Sequence, residues 1–136
     1  MIAFVCLWMI AVNDLNKQSY YVLPGYQAML VMAELKEVQD ISAHLLKIYV
    51  EQTDVADWEG TVVPDVAELY SGCRACIQML EFLMKQEPPP EYRDRITEGG
   101  ICVSGQEYIG FMALMETMRE LKRSIESRFN ISFEVH

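Results

Sequence analysis

Apolar and polar positions alternate along this chain with two distinct periods, and the helical period dominates. In VVPDVAELYSGCRACIQMLEFLMKQ, residues 62–86, the apolar positions Val66, Leu69, Cys73, Cys76, Leu80 and Leu83 recur at spacings of 3, 4, 3, 4 and 3. That is one face of an α-helix. Pro64 suits its first turn, where a missing N–H costs nothing. Tyr70, Ile77, Met79, Phe82 and Met84 widen the apolar surface, and Arg74 is the only charge between Leu69 and Leu80. The segment therefore predicts a central helix buried on most of its sides. Ser71, Gly72 and Ala75 are small enough to let neighbouring helices approach closely.

Two further segments carry the same period. Val31, Leu35, Val38, Ile41, Leu45 and Ile48 predict a helix within Tyr26–Gln52, either continuous or broken near Glu37–Asp40. Phe111, Leu114, Met118, Leu121 and Ile125 predict another, ending near Arg128. Ser104 and Glu107 stand three apart before it, as a capping box requires. Pro88-Pro89-Pro90 stops the central helix, and residues 87–100 form a polar connector. Thr53–Thr61 is a loop or short turn, with Trp58 as a lid on the core.

The ends carry less period. Residues 1–12, MIAFVCLWMIAV, have no charge and are too few to cross a bilayer. No Lys or Arg precedes them and no A-x-A site follows, so a signal peptide is disfavoured. Phe4, Trp8, Ala11 and Leu15 favour a buried helix, whereas Ile2, Val5, Ile10 and Val12 suit a buried strand. The helix is the preferred reading, which makes the chain all-α; the alternative is an α+β fold with residues 1–12 as a strand. Residues 13–19 read as a loop, and the tail NISFEVH alternates as a short strand or extended arm would.

Composition adds three constraints. The chain has 136 residues, 51% hydrophobic and 23% charged, which fits a single domain spanning 1–136 with a true core. A net charge of −9 disfavours nucleic acid as a partner. Residues 34–68 hold nine acids against Lys36 and Lys47, a net of −7, while Arg119, Lys122, Arg123 and Arg128 gather late. An acidic lobe of this kind serves solubility or docks a basic partner, as immunity proteins and phage inhibitors do.

Candidate chemistry is sparse. Cys73-Arg74-Ala75-Cys76 is a C-x-x-C, but it lies well inside a helix with both sulfurs on the core stripe, where cysteine acts as a small hydrophobe. A thiol redox protein is thus a second alternative. Zinc would need ligands from His44, His136, Cys6 or Cys102, none at a familiar spacing. Phosphate-binding glycine motifs are absent, and no serine or cysteine stands near His44 in a nucleophile pattern. The expectation is no enzyme, no metal and no cofactor. Four cysteines without a secreted-scaffold pattern favour a reducing compartment. The nine methionines are core filler or an adaptable partner surface.

The order of elements resembles the poxviral Bcl-2-like proteins. An apolar aromatic-bearing start (FVCLW) leads to a polar loop with Asn13 and Asp14 ending in Tyr20-Tyr21. A buried helix, a connector and an amphipathic last helix (EYIGFMALMETM) follow. The resemblance implies a Bcl-2-like helical bundle around the central buried helix 62–86. It also implies a non-enzymatic virulence factor of the host cytoplasm, binding host signalling or pro-apoptotic proteins. Such a protein would inhibit innate immune signalling toward NF-κB or interferon, and possible apoptosis control comes with it. It places partner binding on Tyr26, Met29, Leu30 and Met32, and a homodimer face on Phe4, Trp8, Met112 and Met115. The chain departs from the family at Val103-Ser104-Gly105-Gln106, where cellular members carry Asn-Trp-Gly-Arg, and at a C-terminus without an apolar anchor.

Overall fold

The computed structural model describes residues 10–13, 19–95 and 100–133. Three long helices carry most of them: α1 (Gly25–Gln52), α2 (Val63–Lys85) and α3 (Gly105–Phe129). Three short strands, β1 (Ile10–Asn13), β2 (Ser19–Leu23) and β3 (Ile101–Ser104), form one antiparallel sheet in the order β1-β2-β3. Single 3₁₀ segments at Val55–Asp57 and Pro90–Arg95 shape the connections.

The three helical periods are realised close to their expected ends. Helix α1 is unbroken: Ser42 sits in its buried face and donates its hydroxyl hydrogen to the Val38 carbonyl at 2.7 Å, which satisfies it within the helix. Helix α3 begins with the expected capping box. The Glu107 amide donates to Ser104 Oγ at 3.3 Å, and the Ser104 amide donates to Glu107 Oε1 at 3.2 Å. Asn130, at φ 55°, ends the helix in the left-handed conformation that asparagine tolerates.

The all-α expectation holds in its coarse part, since the chain is mostly helical, but a sheet closes one end. Residues 10–12, expected in a helix with a strand as the alternative, form β1 together with Asn13, expected in a loop; residues 1–9 lie outside the described part. Ile10 pairs with Val22 and Val12 with Tyr20, so the β-branched positions of β1 gain a partner that helical spacing did not reveal. The polar connector likewise ends in a strand. Tyr21 pairs with Val103 and Leu23 with Ile101, about eighty residues away along the chain. Strand alternation then divides the side chains of β2. Tyr21 faces the helices and stacks on Tyr108 with ring centroids 4.0 Å apart. Tyr20 lies on the other face of the sheet, beside the buried Val22, and packs at 5.2 Å against the buried Tyr92 from the second 3₁₀ segment.

Helix α2 packs against both α1 and α3. Its buried side chains are Val63, Val66, Leu69, Cys73, Cys76, Ile77, Leu80 and Leu83, the expected stripe extended by two positions. It is not buried on most sides. Phe82 is 61% exposed, because two helices and one sheet cover a single face of α2 and leave the rest to solvent. The core is filled by Leu69, Leu80, Ile101, Phe111, Met115 and Ile125, each wholly buried. Each contributes on the order of 1.5–3 kcal/mol relative to an exposed side chain. Trp58 is half-buried and donates its indole N–H to the Thr53 carbonyl at 3.1 Å, so it pins its own loop. The tail 130–133 is not a strand; it folds back and buries Phe133.

Candidate functional site

Chain direction places three helix ends beside the sheet. Helix α1 starts right after β2, α3 starts right after β3, and α2, running the opposite way, ends there. Of the large apolar side chains left exposed among the described residues, six stand at this end: Tyr26, Met29 and Leu30 on α1, Met79 and Phe82 on α2, and Ile109 on α3. Val50 and Val55 are the two at the other end. These six make an apolar collar around one end of the helices, and a concentration of exposed apolar side chains marks a candidate interaction site.

Two depressions interrupt the collar, one on each flank of α2. The first holds about 240 Å³ and is lined by Met29, Met32, Ala33 and Met84, with Lys36 at its rim. The second holds about 220 Å³ and is lined by Met79, Phe82, Leu83, Gly110 and Phe111, with Glu107 at its rim. Gly110 adds open space there, since a side chain at that position would meet nothing within 4 Å.

The residues that the resemblance implies for partner binding stand in or beside the collar. Tyr26, Met29 and Leu30 are exposed, and Met32 is half-buried beside Met29. The expected dimer face is not assembled in the same way. Met115 is 1% exposed and belongs to the core, Met112 is half-buried against it, and Phe4 and Trp8 lie outside the described residues. Met115 follows Phe111 by four residues and so shares its inward face. Met79, Phe82 and Ile109 were not singled out as surface residues. The available signal was an apolar residue lying off the core stripe of its own helix.

A second cluster lies between α1, α2 and α3. Glu34, Leu35, Val38, Leu69, Cys73, Met115, Met118, Arg119 and Lys122 line a small apolar cavity. Lys122 is 5% exposed and pairs with Glu126 at 3.5 Å; Arg119 pairs with Glu116 at 3.3 Å. Cys73 and Cys76 are free and buried. Burial pushes the Cys73 thiol up to about 11, against the opposing effect of the Lys122 charge. Burial, with Cys73 beside it, pushes Cys76 up to about 12. Neither sulfur is a thiolate near neutral pH, so neither is a nucleophile there. Cys102 is half-buried on β3, and burial followed by the Glu107 charge raises it too.

His44 is exposed on α1; His136 and Cys6 lie outside the described residues. No group of three or more His, Cys, Asp or Glu side chains among the described residues could hold a metal ion. No helix among them is long and apolar enough to cross a membrane. Glu51, Asp54, Asp57 and Glu59 are exposed at the far end, and Asp65 pairs with Arg128. No protein family, curated protein or solved structure matches this chain.

Proposed function

We propose that this chain is a protein-binding module that acts through the collar at the sheet end of its helices. The observation that carries this reading is the gathering of Tyr26, Met29, Leu30, Met79, Phe82 and Ile109 around two methionine- and phenylalanine-lined depressions. Thioether side chains are flexible and polarizable, so such depressions adapt to an apolar partner surface. The buried thiols of Cys73 and Cys76 support a binding role over a redox one. The test is site-specific photo-crosslinking in cell extract from positions 29 and 82, with position 54 as control. A partner captured at 29 or 82 and lost with Leu30→Glu supports the reading. Capture only from position 54 overturns it.

The narrower proposal is a viral inhibitor of innate signalling or apoptosis that binds host signalling or pro-apoptotic proteins in the host cytoplasm. It draws support from the order of elements and from the apolar helix 63–85. The sheet formed by residues 10–13, 19–23 and 101–104 is a departure from a helical bundle wrapped around one helix. Expression in cells stimulated through NF-κB or interferon pathways tests it, and unchanged reporter output with the protein present counts against it. The exposed acids of 51–59 favour a second reading, docking of a basic partner at the far end. In that case reversing Asp54 and Asp57 weakens capture and its salt dependence, and the collar variants do not.

A further inference from the structure

The pairing register of the sheet fixes where the chain that precedes β1 joins the rest of the molecule. Ile10 pairs with Val22, one residue before β2 ends at Leu23. Pro24 comes next and has no N–H to extend a ladder, and α1 begins at Gly25. Ile10 therefore stands beside the start of α1. Helix α3 starts at the other end of the sheet, where Ser104 pairs with Tyr20. Of the two depressions in the collar, the one between α1 and α2 is thus the nearer to Ile10. Its α1 lining runs from Met29 to Lys36, within about 17 Å of Gly25 along the helix axis.

Residues 1–9 read MIAFVCLWM, with no charge. Such a stretch gains by burial against an apolar surface. Nine residues reach about 13 Å as a helix and about 30 Å extended, and Met29 lies about 6 Å along α1 from Gly25. Phe4 and Trp8 share one side in either form, because a spacing of four is close to a helical turn and even along a strand. The rim charges then distinguish the two depressions. Lys36 stands at the rim on the α1 side, and Glu107 at the rim on the α3 side. The face of an aromatic ring is electronegative, so it attracts an ammonium group and repels a carboxylate. We propose that residues 1–9 cover the α1 side of the collar, with Phe4 and Trp8 over the depression lined by Met29, Met32, Ala33 and Met84. The depression between α2 and α3, beside the exposed Phe82, is then the part of the collar that a partner docks on.

This inference rests on reading the collar as a docking surface, and its tests are separate from partner capture. Trp8 and Trp58 are the two tryptophans, so Trp58→Phe in the full chain leaves Trp8 as the sole indole reporter. Trp8 emission should lie to the blue of a water-exposed indole and resist acrylamide quenching. Met29 is 67% exposed, so Met29→Asp leaves the core intact; it should shift the emission to the red and increase quenching. Phe82→Asp, on the other flank of α2, should do neither. The emission should not change from low to high micromolar chain, as befits a contact within one molecule. A second readout keeps Trp58. A photo-crosslinker at position 29 should join a peptide from residues 1–9 within one chain, and one at position 82 should not. A water-exposed Trp8 in the folded chain overturns the proposal. So does emission indifferent to Met29→Asp, or a link from position 29 that forms only between two chains. A partner captured at position 82 while Trp8 is water-exposed removes the covering segment and leaves the docking surface standing. A shielded Trp8 with capture only from position 54 keeps the segment's contact and removes the docking surface.

Discussion

Gly72 on α2 and Met118 on α3 share one space: the Met118 sulfur lies where a Cβ at residue 72 would have to be. The Met118 thioether fills the space that glycine leaves open. In an exposed helix, alanine in place of glycine would stabilise by about 1 kcal/mol. Here Gly72→Ala drives the flexible Met118 side chain to another rotamer, a cost that offsets this gain, so the stability measured in urea is expected to rise by less than about 1 kcal/mol or not at all. Met118→Ala should cost less in the Gly72→Ala background than in the wild type, because it vacates the contested space.

Lys122 is buried to 5% exposure with its stem along the cavity between the helices and its ammonium on Glu126. Its stem and its charge contribute separately. Lys122→Ala removes both and is expected to cost about 2–4 kcal/mol in chemical denaturation. Lys122→Met keeps most of the stem and should recover at least half of that loss.

The buried thiols make stability depend on alkaline pH. Cys73 and Cys76 bind their protons more tightly when folded, with values near 11 and 12 against an ordinary 9.0. A raised folded-state value contributes stability that is complete below about pH 9 and is lost as pH rises through the folded values. The urea midpoint should therefore fall between pH 9 and 11, by at most roughly 1.4 kcal/mol per pH unit for each thiol. In Cys73→Ala/Cys76→Ala the fall should be shallower. An equal slope in the double variant would remove the thiols as its cause.

The same burial governs reactivity. Under native conditions at pH 8, an alkylating reagent should leave Cys73 and Cys76 unmodified for as long as the chain stays folded, and should modify both in urea. Mass spectrometry after digestion reads each site. Fast native labelling of either cysteine would return the redox reading to consideration.

Phe133 anchors the segment after α3. Its ring is 2% exposed, and its amide donates to Glu126 Oε2 at 3.2 Å, the same carboxylate that pairs with Lys122. Phe133→Ala is expected to cost about 3 kcal/mol. Glu126→Ala should cost more than an exposed ion pair would, since it leaves both Lys122 and the Phe133 amide without this acceptor.

The sequence by itself determined the three helices. Each has a 3.6-residue apolar period, and α3 also has a capping box between Ser104 and Glu107, signals that arise within a few residues. It also determined that Cys73 and Cys76 point inward, and it placed Tyr26, Met29 and Leu30 among the surface candidates. The sheet was decided only in three dimensions. Tyr20–Leu23 and Ile101–Ser104 are each too short to show a period, and their partnership joins segments about eighty residues apart, which no local pattern encodes. The one-sided burial of α2 was settled in the same way. An apolar residue such as Phe82 looks alike in sequence whether a neighbour covers it or not, and only the packing of two helices and a sheet on one face leaves it exposed. The collar, and with it the candidate site, follows from where the chain runs out of elements to cover an apolar surface.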